Sequence, residues 1–116
     1  MVAGLLLGFR DWMGRDSPPE ESLRASVEQL ISDPATEYLL GAVEVAGPPA
    51  GVCQLRYRWG IWYSAADCWL EDLYVSESAR RSGLGRALVQ EAASRARERG
   101  CARVQLDVSE ANLETR

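Results

Sequence analysis

Apolar residues recur with two different periods along this chain, and the change of period marks its elements. Val2, Leu5, Leu6, Phe9, Trp12 and Met13 follow the i, i+3, i+4, i+7 spacing of one helix face. Gly14 to Pro19 breaks that stripe. Ser17 and Glu20 then have the spacing of a capping box, with Pro18 suited to a first helical position. Leu23, Val27, Leu30 and Ile31 predict a second amphipathic helix, stopped by Ser32-Asp33-Pro34. Residues 38–45 and 51–58 read as strands joined through Ala46-Gly47-Pro48-Pro49, a hairpin pattern. In the second of them Val52, Gln54, Arg56 and Arg58 alternate with Cys53, Leu55 and Tyr57. Residues 61–66 form a connection, and its neighbouring aromatics Trp59, Trp62 and Tyr63 are expected to pack in core or loop. A third strand is predicted over 68–75 and a loop over 76–82. A helix follows over 83–99, with Leu84, Leu88, Ala92 and Ala96 on one side and Gly100 at its end. A fourth strand covers 103–108, with Val104, Leu106 and Val108 on one face. The predicted order is α-α-β-β-β-α-β, one α/β (α+β) domain over residues 1–116.

Composition narrows the chemistry. The chain contains 13 basic residues, all Arg, and neither Lys nor His. Ser-His-Asp and Cys-His catalysis therefore have no base. Imidazole-dependent zinc sites, Lys Schiff bases and the Lys-bearing phosphate loop are excluded too. No metal is expected. Cys53, Cys68 and Cys101 are odd in number and widely spaced, as small hydrophobes near strands of a reducing cytoplasm would be. No apolar run approaches the ~20 residues of a membrane span, and Val2–Phe9 lacks the basic flank of a signal peptide. The net charge of −4 argues against a nucleic-acid partner.

The charge is nevertheless uneven. Residues 79–103 carry seven Arg and two Glu, whereas residues 67–77 carry Asp67, Glu71, Asp72 and Glu77 with no base. An acidic stretch running into a basic one suits a site that meets both a cation and an anion. Glu91 and Arg95 are an ordinary i,i+4 surface pair. Arg80, Arg81 and Arg86 are different, because Gly83 and Gly85 lie among them. Glycines at the mouth of a helix expose first-turn amides, which lack intrahelical partners and sit at the positive end of the dipole. That is a pyrophosphate cradle. The dinucleotide fingerprint G-x-G-x-x-G/A competes for the same residues but fails at Leu88 and lacks its βαβ opening.

Arg80-x-x-Gly83-x-Gly85 resembles the Q/R-x-x-G-x-G/A signature of the GNAT family of N-acetyltransferases, and its context of strand, loop, long helix and strand resembles the family's as well. The resemblance implies a mixed central sheet and acetyl-CoA as cosubstrate. It assigns the pyrophosphate to Arg80, Arg81, Ser82, Gly83, Leu84, Gly85 and Arg86. It assigns the pantetheine arm to the backbone of Leu73, Tyr74 and Val75, paired as an added strand would be. Asn112 matches a further coenzyme position. Leu70-Glu71-Asp72-Leu73-Tyr74-Val75 resembles the equivalent strand of diamine and other small-amine acetyltransferases. That likeness implies Glu71 as base, relaying a proton through water, and Asp72 as a contact of a small cationic amine. Alternation would send Glu71 and Asp72 to opposite faces of their strand. The amide of Leu73 is the expected oxyanion donor, and transfer would be direct.

Against the family pattern the chain opens inside the first helix, without the strand before it. It stops at Arg116, before the helix with the family's Tyr general acid and before the final strands. This predicts a domain truncated at both ends, acting as an enzyme, with a homodimer or a partner-completed sheet as compensation. The alternatives are a catalytically impaired fragment used for binding or assembly and, less well matched, an unrelated nucleotide-binding α/β protein.

Overall fold

A computed structural model describes residues 1–62 and 64–106. Helix α1 (Val2–Trp12) and helix α2 (Glu20–Ile31) come first. Strands β1 (Thr36–Gly41), β2 (Gly51–Gly60) and β3 (Ala65–Val75) follow. A 3₁₀ turn (Glu77–Ala79), helix α3 (Leu84–Glu98) and strand β4 (Arg103–Leu106) complete the described chain. The strands form one mixed sheet in the order β1-β2-β3-β4. The first three are antiparallel, and β3 pairs with β4 in parallel from Asp67↔Arg103 to Leu70↔Leu106. The predicted order and the mixed α/β sheet both stand.

The two sheet faces bury different layers. Cys53, Leu55, Cys68, Leu70, Leu73 and Val75 pack under α3, against its stripe of Leu84, Leu88, Ala92 and Ala96. Val52 and Tyr74 face the other way, onto α1 and α2 through Val2, Ala3, Phe9 and Val27. Tyr57 Oη donates to Glu37 Oε1 (2.7 Å) and Arg95 Nη1 donates to Glu37 Oε2 (2.6 Å), tying the middle of α3 to β1 and β2. Arg95 also holds the predicted pair with Glu91. Cys53 and Cys68 are buried and free, as expected of small hydrophobes. Burial, and then the neighbouring Cys68, pushes the Cys53 thiol up to about 12.

Several boundaries differ from the sequence pattern for local reasons. The capping box does not form: α2 starts at Glu20, with Pro19 as its N-cap and no side-chain cap. Pro18 precedes another proline, and a residue before proline is driven out of the helical region. Strand β1 spans 36–41 rather than 38–45. Asp33 accepts from the amides of Ala35 through Oδ1 (2.8 Å) and of Thr36 through its carbonyl (3.0 Å), a turn that launches the strand early. Trp59 and Trp62 are not core. Strands β2 and β3 extend to Gly60 and Ala65, which carries these indoles to an exposed hairpin tip. Ile31, Val104 and Leu106 are exposed as well. Tyr63 and Val108 lie outside the described residues.

Candidate active site

The turn between β3 and α3 is built from its own backbone. Arg81 (φ +69°) and Gly83 (φ +87°) are both left-handed, a conformation glycine adopts freely and arginine does not. Ser82 Oγ donates to Ala79 O (2.6 Å) and accepts from the Leu84 amide (3.3 Å), which locks the bend. The first bond of the α3 ladder runs from the Ala87 amide to Gly83 O (3.0 Å). The amides of Gly83, Gly85 and Arg86 therefore stand ahead of the ladder at the positive end of the helix. The start of α3 is seated closely on the sheet. A Cβ on Gly41 would lie 2.6 Å from Leu84 Cδ1, and one on Gly51 would lie 3.1 Å from Leu84 and Leu88.

The three arginines of this turn separate. Arg81 and Arg86 are exposed beside it. Arg80 turns inward: its Nε donates to Val75 O (3.2 Å) and its guanidinium lies 4.7 Å from the Trp12 ring centroid and 5.8 Å from that of Tyr74. The side chain of Arg80 thus braces the turn against α1 from beneath.

Strand β3 breaks register opposite Gln54 and Leu55. Gln54 pairs with Asp72 and Leu55 pairs with Leu70, so Glu71 is an extra residue, a β-bulge. The bulge cancels the alternation expected between Glu71 and Asp72. Both carboxylates turn to the α1/α2 face, while Leu70 and Leu73 both stay on the α3 face. Glu71 Oε2 accepts from Gln54 Nε2 (2.7 Å) and from Arg56 Nη1 (3.3 Å). The acidic stretch read from sequence is also divided: Asp67 Oδ2 is paired with Arg103 (3.2 Å), and Glu77 is exposed in the 3₁₀ turn.

Asp72 lines a cavity of about 230 Å³ between α1, α2 and the sheet. The helices and their connection line it mostly with apolar side chains, Leu6, Phe9, Leu23, Val27 and Leu30 among them, together with Arg10, Arg15, Ser17 and Ser26, and the strands contribute Tyr38, Gln54 and Asp72. The Tyr38 hydroxyl is buried with no hydrogen-bond partner among the described residues. Burial, and then the charge of Asp72, raises it to about 12, so it stays a neutral phenol.

Past the bulge, ladder parity sets which backbone groups face outward. The Ser76 amide donates to Ala50 O (2.7 Å) and the Tyr57 amide to Ala35 O (2.8 Å). Tyr74 accordingly pairs with Val52, and Leu73 and Val75 direct their amides and carbonyls away from β2. The Val75 carbonyl is taken by Arg80. Asn112 lies outside the described residues.

A glycine-entered helix beside a bulged strand, on a mixed sheet of this order, matches known proteins. The model of the acetyltransferase (GNAT) family matches residues 6–116. The chain belongs to the GNAT family. It is 31% identical over 100 residues to the thialysine N-epsilon-acetyltransferases of Bos taurus and Sus scrofa, covering 80% of this chain and 56% of each relative. The chain thus spans about half the length of the curated relatives it matches. A crystal structure of a probable acetyltransferase superposes with a TM-score of 0.83 at 28% identity, covering 96% of this chain and 73% of that one. A ribosomal-protein-alanine N-acetyltransferase from Brucella melitensis biovar Abortus 2308 has the same fold, with a TM-score of 0.77 at 23% identity over 94% of this chain and 73% of that chain.

Within this GNAT domain, sequence reasoning found β3 and the α3 turn but missed the groups around the carboxylates. Tyr38, Gln54, Arg56 and the rim residues Arg10 and Arg15 were not singled out. One signal was present: Gln54 and Arg56 alternate with core residues of β2, although both sheet faces carry helices. Polar side chains on a covered face mark a site. Among the described residues no three His, Cys, Asp or Glu side chains converge as a metal would need, and no helix is long and apolar enough to cross a membrane.

Proposed function

We propose that this chain transfers the acetyl group of acetyl-CoA directly to the primary amine of a small cationic substrate. The observation that carries this reading is the bulge at Glu71. It turns two adjacent carboxylates to the α1/α2 face of the strand that leads into the glycine turn, where Asp72 lines the cavity and Glu71 is bonded to the cavity residue Gln54. The family membership and the amine named for the thialysine relatives support the same chemistry.

Acetyl-CoA supplies the acyl carbon. The amides of Arg81, Gly83, Gly85 and Arg86, with the exposed guanidinium groups of Arg81 and Arg86, suit its pyrophosphate. The outward backbone groups of Leu73 and the outward amide of Val75 are suited to an extended amide arm, and the Leu73 amide is the donor assigned to the developing oxyanion. An ammonium must lose a proton before it can attack. Asp72 attracts the cation. Glu71 is the base: Gln54 and Arg56 both occupy its Oε2, so Oε1 takes the proton, directly or through water. We place the protein in the cytoplasm, which its free cysteines support. Among the described residues, strand β4 ends the sheet order with Val104 and Leu106 exposed, which supports a homodimer or another partner at that edge.

The test is calorimetric titration with acetyl-CoA, followed by thiol release with a panel of small primary amines. Binding followed by amine-dependent release is the expected result. A folded protein that binds no coenzyme would overturn the assignment.

A further inference from the structure

The cavity beside Asp72 has two electrical ends. Among the charged residues that line it, Asp72 lies at the base on β3, while Arg10 and Arg15 come from the end of α1 and the segment after it. The rest of the lining is mostly apolar, with Ser17 and Ser26 among it. The two arginines are not equivalent. Arg10 is committed internally: Nε and Nη2 donate to Asp11 Oδ1 (3.1 and 3.0 Å), and Nη1 donates to Pro18 O (2.9 Å). It braces the α1–α2 connection. Arg15 is exposed at the rim, and none of the ion pairs found among the described residues includes it.

We propose that Arg15 is a specificity-determining residue that binds a carboxylate at the far end of the acceptor, so that the preferred substrate is a small ω-amino acid rather than a simple diamine. This deepens the acetyltransferase assignment and rests on it. The ammonium end sits at the base, where Asp72 supplies charge and the buried, unpartnered Tyr38 hydroxyl supplies an acceptor. The methylene stem lies along Phe9, Leu23 and Val27, where an uncharged chain is favoured over water. The carboxylate end emerges at Arg15, whose planar fork matches a carboxylate in two-point fashion. A simple diamine would bring a second cation to the arginine rim, where it is repelled.

The experiment compares lysine with cadaverine, a pair differing only in the carboxylate, by thiol release and by calorimetry on the acetyl-CoA-loaded chain. Lysine is expected to be favoured in kcat/KM by about tenfold, the scale of one charge-assisted contact. Arg15→Gln should collapse that ratio to about one through KM for lysine, and Arg15→Lys should restore part of it. Tyr38→Phe should raise KM for both amines, leaving the ratio in place. Equal use of the two amines by the parent chain, or a ratio that survives Arg15→Gln, would overturn the role of Arg15 while leaving the acetyltransferase assignment intact. Failure to bind acetyl-CoA at all would overturn both.

Discussion

The two faces of the sheet are built from the same strands and do opposite jobs. On the α3 face, β2 and β3 contribute Cys53, Leu55, Cys68, Leu70, Leu73 and Val75, and the helix closes over them. On the α1/α2 face, the residues between those apolar positions include Gln54, Arg56, Glu71 and Asp72, and the helices stand off far enough to leave a cavity. A helix layer over apolar side chains excludes water and gains stability from burial. A helix layer over carboxylates, an amide and a phenol forgoes part of that gain. What it keeps is a cavity with polar side chains on the sheet, the place to which we assign binding and deprotonation of the amine. The bulge at Glu71 separates the two regimes, letting β3 place Leu70 and Leu73 on one side and both acids on the other.

Breaking the packed face should have the largest effect. Leu70 is fully buried under α3, and Leu70→Ala is expected to cost about 2–5 kcal/mol in urea unfolding. A cost below about 1 kcal/mol would mean that α3 is not the stabilising layer. On the open face the loss should appear in rate. Glu71→Gln is expected to lower kcat by about 10²-fold or more, with coenzyme affinity unchanged, which stopped-flow and calorimetry separate. An unchanged kcat would make the bulge merely structural. At the junction of the faces, Gly83→Val forces a β-branched residue to φ +87°. At about 1–2 kcal/mol for a left-handed residue, acetyl-CoA should bind roughly tenfold more weakly by calorimetry, with the fold retained.

The gentlest comparison is by pH. Cys53 and Cys68 under α3 are raised from 9.0 to about 12 and about 11, chiefly by burial, and Tyr38 on the other face is raised from 10.0 to about 12. In each case the folded chain holds the proton more tightly than the unfolded one. The stability this contributes is fully present below pH 9 and is lost as pH rises toward 12. Urea midpoints should therefore fall progressively above pH 9. In Tyr38→Phe the part of the decline between pH 10 and 12 should be shallower, whereas a flat profile would contradict the burial of these groups.

Much of this is legible in the sequence. The stripe of Leu84, Leu88, Ala92 and Ala96 and the punctuation at Gly83 and Gly100 are local patterns with local causes, and they appear where they were expected; the pairing of β1 with β2 is also as expected, though β1 ends at Gly41 and the connection is longer than the Gly47-Pro48-Pro49 turn. The arginines of the turn were less legible. Arg80 and Arg81 are neighbours of identical chemistry, yet one braces Val75 and Trp12 from inside and the other stands exposed. The capping box was misleading because Pro18-Pro19 dictates a later helix start.

The chain's own order of residues determined the elements, their sequence along the chain and the glycine turn, because each depends on interactions within a few positions. Only the tertiary structure decided that Glu71 and Asp72 share a face, since no glycine or proline marks the bulge and its register is set by β2, 17 residues away in the contact from Gln54 to Glu71. It likewise decided that Tyr38 and Arg15 border the same cavity. Those positions come from different elements, and their meeting follows from how helices and strands pack rather than from any local pattern.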